Sequence, residues 1–197
     1  MKSKRHSGRV FLAGVAFALL AVCAWDARAQ TPQVTIAPKH AQAFAAFEAR
    51  VKEYVAMREH LEDGLPKLSK DATPEQIEAH KTAFQDAVRA ARTAAKQGDL
   101  FTAALAGHIR EVIKLETKPK EKQEVRETVL ESEVKGVPLR VNYPYPESEE
   151  LLEMSPALLL KLPQLPKQVK YRYVGRSLLL VDRENGLIID FMPDALP

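Results

Sequence analysis

Four consecutive apolar residues, Leu178-Leu179-Leu180-Val181, constrain this chain more than any other feature. They sit inside a stretch, Tyr171 to Asp190, that reads as three short strands joined by tight turns. Successive side chains of a strand point to opposite faces, so Leu178 and Leu180 face one way and Leu179 and Val181 the other. An antiparallel sheet with one wet face alternates apolar with polar residues. This strand does not alternate, so both faces of the sheet need a cover. The flanking strands read more conventionally. Val169, Tyr171 and Tyr173 alternate with Lys170 and Arg172, and Gly175-Arg176 supplies a two-residue turn with glycine first. Asn185-Gly186 supplies positive φ for the second turn. Strict alternation in the third strand puts Leu187, Ile189 and Phe191 on one face and Ile188 and Asp190 on the other. A sheet this small is not stable alone. The rest of the chain must cover one face; the segment Val137–Leu165 or a partner protein covers the other. Leu179 and Val181 are therefore candidate interaction residues, together with Arg172 and Arg176 at the sheet edge. Lys167 and Lys170 add to that positive charge, which also guards an edge strand against aggregation.

The rest of the chain is helical in pattern. From His40 to about Asp63, Phe44, Phe47, Val51, Tyr54, Val55 and Leu61 recur at three- and four-residue spacing. Gly64 and Pro66 end that helix. Thr73, Pro74 and Gln76 form a capping-box start for a second helix. It is expected to run to about Lys96, with a stripe of Ile77, Phe84, Val88, Ala91 and Ala95. A third helix, from about Thr102 to Glu116, puts Leu105, Ile109, Val112 and Ile113 on one face. Short loops favour antiparallel neighbours. Residues 118–136 are a charged helix or linker with a thin stripe of Val125, Val129 and Leu130. A short helix from Ser155 to Leu162 and the stiff connector Leu162–Pro166 lead into the strands. The fold class is α+β: an antiparallel helical hairpin plus a third helix, then a three-stranded antiparallel meander. Residues 40–117 form the helical region and 137–197 the β-module.

The first 29 residues read as a cleaved signal peptide. A basic start is followed by the apolar run Val10–Val22, too short to span a bilayer comfortably. Ala27-Arg28-Ala29 is a small-x-small cleavage pattern. Val22 stands where a small residue is wanted before a lipid-modified Cys23, which argues against a lipoprotein. Residues 30–39 read as a mobile leader. Cleavage removes Lys2, Lys4, Arg5, Arg9, Arg28 and Asp26, so 29 basic and 26 acidic residues become 24 and 25. The mature protein is near neutral and lacks the field that drives nucleic-acid binding. Cys23 is the only cysteine and leaves with the signal, so no disulfide and no thiol nucleophile remain. The expected location is periplasmic or secreted, with no stable membrane anchor after cleavage.

Chemistry-bearing motifs are sparse. His40, His60, His80 and His108 all lie in the helical half. In a hairpin turning at Gly64–Thr73, His60 and His80 fall at similar heights, and imidazole with nearby carboxylate suits a borderline divalent metal. By helical phase, His60 faces water, while His80 and His108 lie on apolar stripes. The candidate metal residues are thus His60, His80 and His108. There is no HExxH, no Cys–His spacing, no Asp-rich calcium loop and no phosphate-binding glycine loop. The pairs Glu62/Asp63, Glu149/Glu150 and Asp182/Glu184 read as solvated charges, and Ser177 lacks a G-x-S-x-G elbow. No catalytic residue and no cofactor is expected. Across the strands, Arg172 with Asp182, or Arg176 with Asp190, are candidate ion pairs.

Three stretches, GDLFTAAL, PLRVNYPYP and the run from Leu158 to Leu196, resemble a family of uncharacterised exported bacterial proteins. In that family a helical N-terminal half precedes a YRxVGRxLxLxD…LIxD β-module. Here Tyr171, Arg172, Val174, Gly175, Arg176, Leu178, Leu180, Asp182, Leu187, Ile188 and Asp190 carry the pattern. Ser177 departs from it where an acidic residue often stands, and Asn185-Gly186 replaces a pair such as Ala-Asn. The resemblance implies export and relatedness, with no activity to transfer. The expected function is a non-enzymatic interaction or structural module of the cell envelope, acting on an envelope protein or on itself through the β-module. The alternative is a metal- or small-ligand-binding envelope protein using the histidines.

Overall fold

The computed structural model describes residues 38–116, 138–146 and 156–196. The expected signal peptide, residues 30–37 of the leader and the charged segment 118–136 lie outside these residues. The described chain is α+β. Helices α1 (Pro38–Asp63), α2 (Pro74–Ala91) and α3 (Ala103–Glu116) are followed by the single turn α4 (Pro156–Leu159). Strands β1 (Val169–Val174), β2 (Ser177–Asp182) and β3 (Ile188–Met192) complete the order. The sheet is an antiparallel meander with β2 in the centre.

Side-chain pairs fix the helix directions. Arg58 meets Phe84 and Tyr54 meets Arg92, so α2 runs antiparallel to α1. Phe44 meets His108 and Phe47 meets Phe101, so α3 is antiparallel to α1 as well. The N-terminus of α2 is the capping box read from the sequence. Thr73 accepts from the Gln76 amide, and the Gln76 side chain accepts from the Thr73 amide at 2.9 Å. Its C-terminus is not where the alanine-rich pattern puts it. The helix ends at Ala91, because Arg92 leaves helical angles and its carbonyl accepts from the Asn142 side chain at 2.8 Å. Ala95 therefore lies beyond the helix and Ile77 is exposed, while Gln85 is buried. The short helix before the strands likewise stops at Leu159, short of the expected Leu162.

The main core lies between the helices and one face of the sheet. Phe44, Phe47, Val51, Phe84, Val88, Leu105, Ile109 and Ile113 pack there with Tyr171, Leu178, Leu180, Leu187 and Ile189. On the other face Leu179 and Val181 pack with Tyr145, Val174 and Ile188, and Leu139 and Phe191 close over them. Segment 138–146 thus supplies part of the second cover. It is tied to β3 by the Asn142 amide on the Ile188 carbonyl and the Ile188 amide on the Tyr143 carbonyl. Asn142 takes a positive φ of 64° to do so, a conformation asparagine tolerates better than most residues.

The third strand corrects the alternation expected for it. Leu180 pairs with Asp190, but Val181 pairs with Ile188, so Ile189 is an extra residue in the ladder. This β-bulge shifts the facing of every residue after it. Phe191 turns to the second face with Leu179, not to the face of Leu187 and Ile189. Asp190 turns inward, away from the face shared by Ile188. If Leu179 is core, Leu179→Ala should cost about 2–5 kcal/mol in chemical denaturation. A residue held out for a partner would lose almost nothing.

Candidate functional site

Two aspartates of the β-module are fully buried, Asp182 at the end of β2 and Asp190 in β3. Burying a carboxylate is costly unless it is paired and hydrogen-bonded. Each is satisfied, and in each case by the helical half. Asp182 Oδ2 accepts from the Tyr54 hydroxyl at 2.8 Å. It also lies 2.9 Å from Arg58 Nε, although that N–H is out of line for a hydrogen bond. Asp182 Oδ1 accepts from the amides of Glu184 and Asn185, which fixes the turn into β3. Arg58 goes on to Glu184 at 2.5 Å and Glu62 at 3.1 Å. Below it lies the Phe84 ring, 4.8 Å from the guanidinium carbon.

The electrostatics follow from this packing. Burial, then the charge and hydrogen bond of Asp182, push the Tyr54 phenol well above its usual pKa, so it stays protonated and remains the donor. Burial alone would lower Arg58. The carboxylates of Asp182, Glu184 and Glu62 outweigh it and raise the guanidinium further. Glu62 is raised by burial and then by Glu184, against the pull of Arg58.

Asp190 is held differently. Four backbone amides converge on it, each at 2.8 Å: Gly98 and Phe191 on Oδ1, Leu100 and Phe101 on Oδ2. Burial raises its pKa and the four amides pull the other way, with a net upward direction. Gly98 has φ of 86°, a region glycine enters without strain, and this lets the loop between α2 and α3 wrap the carboxylate. The bulge at Ile189 is what aims Asp190 at that loop. The Ile189 carbonyl in turn accepts from Arg92 Nη2 at 3.1 Å, and the other terminal nitrogen of Arg92 donates to the Asn142 side chain. Arg92 also stacks over the Tyr54 ring, 5.1 Å from its centroid. Arg92 therefore links α2, segment 138–146, β3 and α1.

The expected strand-to-strand ion pairs are not the ones that form. Asp182 shares the core face with Val169, whereas Arg172 shares the opposite face with Leu179. Asp182 takes Arg58 instead. Asp190 takes the loop amides, and Arg176 turns to the Leu196 carbonyl and to Asp194. Arg172 is part-buried at the edge strand, with one terminal nitrogen donating to the Tyr171 carbonyl. Leu179 and Val181, the expected interaction residues, are core residues with exposures of 0% and 2%.

The histidines also regroup. His60 is exposed at the end of α1, beside Leu65 and Ala87, and His80 is half-buried on α2. His108 lies against the first turn of α1, where its ring is 4.0 Å from that of His40. The antiparallel course of α3 along α1 brings these two together. Among the described residues, the group of His, Asp and Glu that can share one ion is His40, His108 and Glu111.

Sequence reasoning missed Arg58, Arg92, Gln85 and Asn142. Arg58 carried a signal: it falls four residues after Tyr54 and seven after Val51, on the apolar stripe of α1. A cation at such a phase needs a buried partner. An open cleft of about 470 Å³ runs along the same side of α1, lined by Arg50, Glu53, Tyr54, Met57, Arg92, Asp99 and Leu100. Its tyrosine hydroxyl is turned inward onto Asp182, and its Arg92 is engaged as above. Among the described residues no helix is long and apolar enough to cross a membrane.

Comparison with protein-family models, with curated proteins and with solved structures returned no match.

Hydrogen bonds to a charged acceptor contribute about 1.5–3 kcal/mol. Asp190→Asn replaces one acceptor oxygen by a donor facing the Leu100 and Phe101 amides or the Gly98 and Phe191 amides. It should lower stability by at least about 1.5 kcal/mol at neutral pH in urea denaturation. Unchanged stability would mean that the loop does not depend on this carboxylate.

Proposed function

We propose that this is an exported, non-enzymatic protein of the cell envelope, in which the β-module is the structural anchor and the outward face of α3 and α4 is the contact surface for another envelope protein. The signal-peptide pattern of residues 1–29 and the resemblance of the β-module to exported bacterial proteins support the location. The observation that carries the rest is where the apolar and charged groups stand. Asp182, Asp190 and Arg58, the buried charges among the described residues, are engaged with internal partners that hold sheet to helices. Neither carboxylate is presented to a cleft as an acid, base or nucleophile would be. Six large apolar side chains are exposed among the described residues. Leu115 of α3, Leu159 of α4 and Leu160 just after it are 83%, 38% and 62% exposed, and α3 and α4 pack on one another. Their neighbours Ile113, Leu158 and Leu162 are buried in the core. The partner in this reading presents an apolar surface and is a different protein of the envelope.

The test is crosslinking in cells that export the protein, with Leu159→Glu/Leu160→Glu as the variant. These side chains point outward, so melting of the purified variant should stay within a few degrees of the parent. One dominant envelope partner should be recovered with the parent and lost with the variant. Recovery of only uncrosslinked protein, or retention of the partner by the variant, contradicts the reading.

A further inference from the structure

We infer that His40, His108 and Glu111 form a binding site for a divalent transition metal, with Zn²⁺ the best fit, that clamps α3 to the first turn of α1. The inference stands independently of the proposed contact surface. Its basis is convergence. His40 Nε2 is 3.9 Å and His108 Nδ1 is 4.0 Å from the same oxygen, Oε2 of Glu111. The three ligand atoms all lie within 4.8 Å of one another. Zinc bonds to imidazole nitrogen and carboxylate oxygen are about 2.0–2.2 Å long, so tetrahedral ligands stand about 3.4 Å apart. The two imidazole–carboxylate separations need to close by about half an ångström, and the separation of the two imidazole nitrogens, which is no more than 4.8 Å, by at most about 1.4 Å, which side-chain rotation supplies.

The donor set decides the class of ion. Two imidazoles and one carboxylate suit borderline metals; Mg²⁺ and Ca²⁺ prefer all-oxygen shells. Placement fits as well. His108 and Glu111 are three residues apart and share one face of α3. His40 comes from the antiparallel α1, so the ion bridges two helices. Both imidazoles are mostly buried, each with 15% of its side chain exposed, and the edge of the Phe44 ring packs on His108 with centroids 5.1 Å apart. Glu111 is 62% exposed and forms the open side. With three protein ligands and an open side, the fourth position falls to water or to a donor atom from outside the protein.

Three side chains so arranged can also serve only to pack two helices, the imidazoles stacking beside the Glu111 carboxylate. Metal titration separates the two roles. Untagged, purified protein is titrated calorimetrically with Zn²⁺, and its melting temperature is followed with Zn²⁺, Mg²⁺ and Ca²⁺. One equivalent of Zn²⁺ should bind. At a free concentration about a hundredfold above the dissociation constant, melting should rise by about 5–10 °C. Mg²⁺ and Ca²⁺ should leave it unmoved. Glu111→Gln, on an exposed side chain, should keep the metal-free melting temperature and weaken Zn²⁺ binding at least about tenfold. His40→Ala should abolish it. Co²⁺ bound in place of Zn²⁺ should give visible absorption that Glu111→Gln alters. No saturable Zn²⁺ binding, equal shifts with Mg²⁺ or Ca²⁺, or unchanged affinity in Glu111→Gln overturns the assignment.

Discussion

The structure depends on one buried charge contact, that of Asp182 with Arg58 and Tyr54. It joins the end of the central strand to the C-terminal part of the first helix, 124 residues earlier in the chain. Neither group tolerates burial alone. Once both are buried, each requires the other, and this fixes how far α1 slides along the sheet. The apolar core between them is less particular, since Leu, Ile and Phe contacts accept many registers. Asp190 repeats the device on the neighbouring strand with backbone amides in place of a cation. Two buried carboxylates, one bound to α1 and one to the loop between α2 and α3, define a unique docking of sheet on helices.

The central strand explains why the chain needs so much else. Because β2 is apolar on both faces, the sheet is sandwiched: the helices cover one side, and segment 138–146 with Phe191 covers part of the other. The bulge at Ile189 reconciles the two sides. It lets β3 place Ile188 and Phe191 on the second face while Leu187, Ile189 and Asp190 all face the helices. Arg92 then closes the arrangement by donating to the Ile189 carbonyl and to Asn142 together.

Much of this was legible in the residues. The stripes of α1 and α3, the capping box at Thr73, both turns of the meander and the need for two covers follow from local chemistry and periodicity. What escaped was set by tertiary contacts. The end of α2 at Ala91 is imposed by Asn142, 50 residues away, and nothing in the local sequence Arg-Thr-Ala-Ala-Lys marks it. The bulge is invisible in Leu187-Ile188-Ile189-Asp190, where strict alternation reads equally well. The histidine grouping expected from heights in the α1–α2 hairpin does not form, because the ring contact lies between α1 and α3. Arg58 was the missed residue that the pattern did mark, by its place on an apolar stripe. Leu179 and Val181 need a cover, as their pattern implies, and the chain itself supplies one in place of a partner.

The most direct test is a double-mutant cycle on Arg58 and Asp182, read by urea denaturation. Arg58→Met removes the cation, and Asp182→Asn removes the charge while leaving an oxygen for the Glu184 and Asn185 amides. If this contact holds sheet to helix, each single change should cost about 3 kcal/mol or more, because it strands a buried partner. The double variant should then lose well under the sum, with a coupling of about 2 kcal/mol. Losses that add to within about 0.5 kcal/mol would contradict the account and leave the apolar core alone to dock the two halves.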